Sequence, residues 1–168
     1  MYIRRDIEST IKETAQYFQV ITIYGSRQVG KTTTADYLFG DSFRFVTLDT
    51  TADRDLANDN PKGFLEAYGW PLIIDEVQKA PKLLDEIKRI VDEQRRIWLR
   101  NNQPRELMYI LTGSNQFDLQ SQVAESLAGR TAVLQMSSLT QMEKMGVKGA
   151  PFKVDLPLLF EKERHNNL

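Results

Sequence analysis

The chain has no cysteine, and among its 168 residues there is a single histidine, His165. Without cysteine there are no disulfides and no thiolate metal sites. His165 sits in the polar stretch Glu161 to Leu168 with no companion ligands, which argues against catalysis or metal binding by it. Long apolar runs are missing too. The longest are of strand length, so no membrane span is expected, and Met1-Tyr2-Ile3-Arg4-Arg5-Asp6 lacks the apolar core of a signal peptide. Neither sign of charge dominates: 22 basic against 23 acidic side chains leave a net charge of −1 and no global pull toward nucleic acid. There is no internal repeat and no low-complexity segment. A reducing cytoplasm is the expected home, and a hydrophobic content of 41% is enough to build one modest domain with a sizeable core.

Against these absences stands one dense motif. Gly25-Ser26-Arg27-Gln28-Val29-Gly30-Lys31-Thr32, continued by Thr33, fits the phosphate-loop pattern G-x-x-x-x-G-K-[ST]. Gly25 and Gly30 let the backbone turn its amides toward an anion with no side chain in the way, and Lys31 adds a fixed positive charge for the β- and γ-phosphates. The Thr32 hydroxyl suits one position on Mg²⁺, and a helix starting there aims its N-terminus at the phosphates. A purine nucleotide is the predicted ligand. The flanks agree: Gln19 to Tyr24 is a β-branched and aromatic strand, and residues 31–39 make a helix. A glycine turn beside a surface lysine, the plainer alternative, would need neither flank.

A second constellation strengthens this. Pro71-Leu72-Ile73-Ile74-Asp75-Glu76 is an apolar run ending in adjacent carboxylates, as in a buried parallel strand that delivers acids to its carboxyl edge, the Walker B form. Asp75 would hold Mg²⁺ through its water shell, and Glu76 would polarise the water that attacks the γ-phosphate. The competing reading has both acids merely capping the next segment.

Strands and helices alternate along the chain, which predicts an α/β fold. The expected elements are a helix over 6–17, strands over 19–24, 43–49, 71–75, 106–112 and 131–136, and helices over 31–39 and 63–68. Residues 50–62 read as loop and a short helical turn. From Pro81 an amphipathic helix follows, with Leu83, Leu84, Ile87, Ile90 and Val91 on one face. This helix and the turn after it carry a locally basic stretch, Lys88, Arg89, Arg95, Arg96, Arg100 and Arg105, with Trp98 inside it. That stretch suits either a nucleic-acid backbone or, given the interspersed Asp85, Glu86, Asp92, Glu93 and Glu106, a solvated mixed-charge face.

The strand over 106–112 runs into Thr112-Gly113-Ser114-Asn115. Either Ser114 or Asn115 could sense the γ-phosphate and the attacking water, or the segment is ordinary turn chemistry. Arg130 opens the last strand. It is expected near the nucleotide, supplying charge in cis or, in an oligomer, in trans; a structural salt bridge is the alternative.

Taken together, Gly-Ser-Arg-Gln-Val-Gly-Lys-Thr-Thr at 25–33, Thr-Leu-Asp at 47–49, Ile-Ile-Asp-Glu-Val-Gln-Lys-Ala-Pro at 73–81, Leu-Thr-Gly-Ser at 111–114 and Ser-Leu-Ala-Gly-Arg at 126–130 resemble the prokaryotic AAA-like ATP-binding proteins. The resemblance runs from about Tyr2 to Glu143. It implies a P-loop NTPase core with a five-stranded, mainly parallel sheet of order 5-1-4-3-2 flanked by helices. It also implies kinship to signal-transducing ATPases, ATP or ADP as ligand with Mg²⁺, and places for Asp49 and Gln78 near the active edge. No guanine-specific Asn-Lys-x-Asp motif is present.

The expected division is an ATPase core over 1–143 and a tail over 144–168, the start of a linker or second domain that longer members carry. The leading expectation is a Mg²⁺-dependent ATPase driving a conformational or signalling switch, working with nucleotide and with a homo-oligomer or a separate effector subunit. Two alternatives stand beside it: an ATP/ADP-binding switch with little hydrolysis that acts through a protein partner, and a nucleic-acid-stimulated ATPase.

Overall fold

Strands that are apolar along their whole length need cover on both faces, and those of this chain receive it. The computed structural model describes residues 2–114 and 116–147. Its elements are α1 (Ile7–Thr14), β1 (Val20–Tyr24), α2 (Lys31–Phe39), β2 (Arg44–Thr47), α3 (Thr51–Asp59), α4 (Pro61–Tyr68), β3 (Leu72–Asp75), a 3-10 turn (Val77–Lys79), α5 (Lys82–Asn101), β4 (Tyr109–Gly113), α6 (Gln116–Ser126), β5 (Thr131–Gln135) and α7 (Gln141–Lys144). The sheet has the order β2-β3-β4-β1-β5, which is 5-1-4-3-2 from the other edge, and each neighbouring pair is parallel.

Side chains alternate across this sheet. Ile21, Ile23, Ile73 and Ile110 face one layer with Ile11, Ala35 and Met136, against α1 and α2. Val20, Leu72, Ile74, Tyr109 and Leu111 face the other, with Phe64, Leu83, Leu84, Ile87 and Val91 from α4 and α5. Each fully buried Ile or Leu of this kind stabilises by roughly 1.5–3 kcal/mol, so the central strands anchor the molecule.

Two differences from expectation have physical causes. Residues 51–59 form a regular helix where the sequence reads as loop, because Ala57 is its one buried side chain and leaves no apolar periodicity to see. The helix is held instead by polar ties: Asn58 Nδ2 donates to the Lys79 carbonyl at 3.0 Å, and the Tyr68 hydroxyl donates to Asp53 at 2.5 Å. β4 begins at Tyr109 rather than at residue 106, since β1, which it pairs from Val20 on, starts no earlier.

Among the described residues no helix is long and apolar enough to cross a membrane. The expected tail lies mostly outside the described residues, as do Asn115 and His165.

Candidate nucleotide site

The phosphate loop leaves β1 at Gly25. A Cβ at that position would stand 2.1 Å from the Met136 carbonyl oxygen, so a side chain would push the loop off the neighbouring segment. Gln28 (φ 62°) and Gly30 (φ 92°) are left-handed, and the chain then enters α2 with Lys31. Ser26, Arg27, Val29 and Thr33 complete the loop in the order expected.

Lys31 is 5% exposed. Its Nζ donates to the carbonyls of Gly25 at 3.1 Å and Ser26 at 2.9 Å, and it takes no carboxylate partner among the described residues. Burial holds its pKa below the usual lysine value, with the charges of Glu76 and Asp75 pulling the other way. A buried cation resting on neutral carbonyls is poised for an anion.

The sheet brings β3 beside it. Thr32 Oγ1 donates to Asp75 Oδ1 at 2.7 Å, and Thr112 Oγ1 from β4 donates to the same oxygen. Next in the chain, Glu76 adopts a left-handed backbone (φ 55°) that non-glycine residues rarely take outside functional sites. It precedes the 3-10 turn without making a side-chain cap, which removes the capping alternative. Its Oε2 accepts from Ser114 Oγ at 2.8 Å and from Gln78 Nε2. Asp49, two residues beyond β2, pairs with Lys79. Arg27, Lys31, Thr32, Thr33, Asp49, Glu76 and Lys79 line one cleft of about 480 Å³. Lys31, Thr32, Asp75, Glu76 and Ser114 thus come together at the carboxyl edge of the sheet, with Asp49 and Gln78 beside them.

Arg130 does not join them. In a parallel strand the opening residue lies at the amino edge, and Thr131 pairs with Val20, at the opposite end of β1 from the loop. There Arg130 holds Asp92 through Nε and Nη2, both at 3.0 Å, so the structural salt bridge is what the fold contains and a cis role at the nucleotide is excluded. Trp98 is also corrected: it is 4% exposed and edge-on to Trp70, out of reach of a nucleic-acid base. Its basic neighbour Arg89 is engaged by Glu86 and Glu93.

A group that sequence reasoning missed lies on the other side of the loop. Arg5 is 8% exposed and uses each of its nitrogens: Nη1 donates to the Val29 carbonyl of the phosphate loop at 2.7 Å, Nη2 to the Ser137 carbonyl at 2.7 Å, and Nε to Glu143 at 3.1 Å. Burial pushes the Glu143 carboxyl up, but the backbone N–H groups of Thr140 and Asp6 and the Arg5 guanidinium outweigh it and hold the pKa below the usual range. Tyr2 stacks on Tyr37 with ring centres 3.8 Å apart and donates to Glu8; burial pushes its phenol up to about 12. Tyr2, Arg5, Gln28, Val29, Ser138 and Leu139 border a cleft of about 450 Å³ adjoining the loop. The only local hint in the sequence was Arg4-Arg5-Asp6 ahead of an amphipathic helix.

Comparison with known proteins places the chain in a family. A family model described as an AAA domain matches residues 17–145. An uncharacterized protein of Mycobacterium bovis and one of Mycobacterium tuberculosis are each 30% identical over 138 residues, covering 82% of this chain. The chain spans only 29% of the length of these relatives. Among solved structures, a Walker-type ATPase of Pyrococcus abyssi is similar at a TM-score of 0.48 and 16% identity, over 99% of this chain and 59% of that one. A DNA replication initiation factor is similar at 0.37 and 16%, over 96% of this chain and 50% of its own. Both likenesses are distant, and the fold rests on the strand order given above. With a family match spanning most of its length and the phosphate loop and acidic strand end closing on one cleft, this chain belongs to the AAA domain family.

Proposed function

We propose that the chain is a Mg²⁺-dependent ATPase core whose nucleotide cycle drives a conformational or signalling switch. The observation that carries this is the convergence of Lys31 and Thr32 from the phosphate loop with Asp75 and Glu76 from β3, Thr32 and Asp75 lying 2.7 Å apart. The donors fit the metal: a hydroxyl and a carboxylate are hard oxygen ligands, and Mg²⁺ takes few protein ligands and keeps water and phosphate oxygens for the rest. Bound there, it would neutralise phosphate charge and polarise the bond to be broken.

The chain's own residues supply the remainder. The loop amides and Lys31 bind the phosphates, and the cleft beside Tyr2, Val29 and Leu139 has the apolar wall a base needs. Glu76 accepts the proton of the attacking water, while Ser114 orients the carboxylate. ATP rather than another nucleotide rests on the AAA membership. The test is ATP turnover with Mg²⁺, with chelator, and in Glu76→Gln. The expected result is metal-dependent turnover that falls roughly 10²-fold in Glu76→Gln with nucleotide still bound. Undiminished turnover in that variant would remove Glu76 as the base.

A second reading is a nucleotide switch that turns over slowly and acts through a protein partner. The placement of Arg130 at the far edge favours it, since no cis arginine from that strand completes the cleft. Tight ADP binding with negligible turnover would select it, and turnover that rises with chain concentration would instead point to a homo-oligomer that completes the site.

A further inference from the structure

We infer that Gln78 is a positioning residue for Glu76, holding one carboxylate oxygen so that the other is presented to water. This rests on the hydrolytic reading of the site for its consequence, though not for its geometry. Gln78 lies in the 3-10 turn directly after Glu76, and its Nε2 donates to Glu76 Oε2, with Ser114 Oγ 3.4 Å away. Ser114 donates to that same Oε2 at 2.8 Å. Two donors on one oxygen leave Oε1 free of both, and they restrain a side chain whose own backbone is in the left-handed region.

The amide is an expensive way to fill this place. Its Oε1 is buried without a hydrogen-bond partner. It fits only because position 113 is glycine: a Cβ there would come within 2.5 Å of Gln78 Oε1 and of Leu119 Cδ2. A side chain present for packing alone would be apolar here, as a leucine or methionine of similar length would leave no orphaned oxygen. What the glutamine adds over those is the Nε2 donor, and that donor points at the proposed general base. Among the described residues the hydrogen bonds of Gln78 run to Glu76 and Ser114 and to none of the phosphate loop, so it acts through the base rather than on the nucleotide.

The test is a cycle of Gln78→Leu, Glu76→Gln and the double variant, read as kcat, KM and ADP affinity. Gln78→Leu should lower kcat roughly tenfold with ADP affinity changed less than twofold, because positioning of a base is felt in the chemical step. In the Glu76→Gln background the same change should have less than a twofold effect, since there is no base left to position. A full tenfold loss in that background, or a parallel loss of ADP affinity, would overturn the inference and leave Gln78 a structural residue. Gln78→Met keeps the length and removes the donor without adding charge, so it should reproduce the kcat loss if Gln78→Leu fails to fold. A second readout needs no turnover: the Gln78 side-chain amide proton resonances should lie downfield in the nucleotide-free chain and move on Glu76→Gln. Should the wild type bind nucleotide without hydrolysing it, the hydrolytic reading fails alone, and an unmoved amide resonance would still refute the contact with Glu76.

Discussion

The two edges of the sheet carry the same kinds of side chain in opposite states. At the amino edge Arg130 is fully matched by Asp92, and Arg95 donates to the Gln19 side chain at 2.6 Å and to the Gly129 carbonyl. At the carboxyl edge Lys31 sits buried on backbone carbonyls, Glu76 holds a left-handed backbone, and two hydroxyls crowd one oxygen of Asp75. At the amino edge Arg130 is thus paired with a carboxylate and Arg95 rests on neutral oxygens. At the carboxyl edge Lys31, Asp75 and Glu76 meet without forming an ion pair among the described residues, an arrangement suited to a phosphate and its metal. Polar residues at strand ends are therefore not equivalent, and the carboxyl edge is where chemistry is to be sought.

The sharpest way to break this contrast is Lys31→Ala. Nucleotide affinity should fall by at least about 10²-fold by calorimetry, as charge-assisted contacts to phosphate are lost. The melting temperature should hold or rise, because a desolvated cation has been removed. A large loss of stability would mean that Lys31 is structural.

Acid should act next, through Glu143. Its folded pKa lies below the unfolded one, so the stability it contributes is complete above the ordinary carboxylate range, near 4.3, and fades as pH falls through the lower folded value. The difference in melting temperature between wild type and Glu143→Gln should thus be several degrees at pH 7 and shrink toward pH 3, on the scale of roughly 1–3 kcal/mol for a buried charged partner. A gap independent of pH would assign the effect to packing.

The smallest effect belongs to the amino edge. Arg130→Ala should cost about 0.5–1 kcal/mol, in keeping with a partly exposed ion pair, and leave nucleotide affinity unchanged. Loss of turnover that depends on chain concentration would instead show Arg130 serving a neighbouring copy.

What could be read from the sequence was what is local. The phosphate loop, the acidic end of β3 and the bounds of α2 are written in runs of fewer than ten residues, and the order of apolar strands is enough for the fold class. α3 was hidden because it buries a single alanine, and its polar ties run to residues elsewhere in the chain. Arg130 was misplaced because motif proximity says nothing about which end of a strand a residue occupies; the parallel pairing with β1 does. The Arg5 group was invisible since its partner lies 138 positions away.

That separation has a consequence for the birth of the protein. The Val29 carbonyl of the phosphate loop is gripped by a guanidinium whose own anchor, Glu143, is made more than a hundred residues later. At about 5–20 residues per second, the ribosome leaves the loop without that support for roughly 6–23 s. Closing so wide a span also slows the final step, because the entropy of a long loop is paid before its contact forms. The phosphate loop is thus made well before the contact that completes its support.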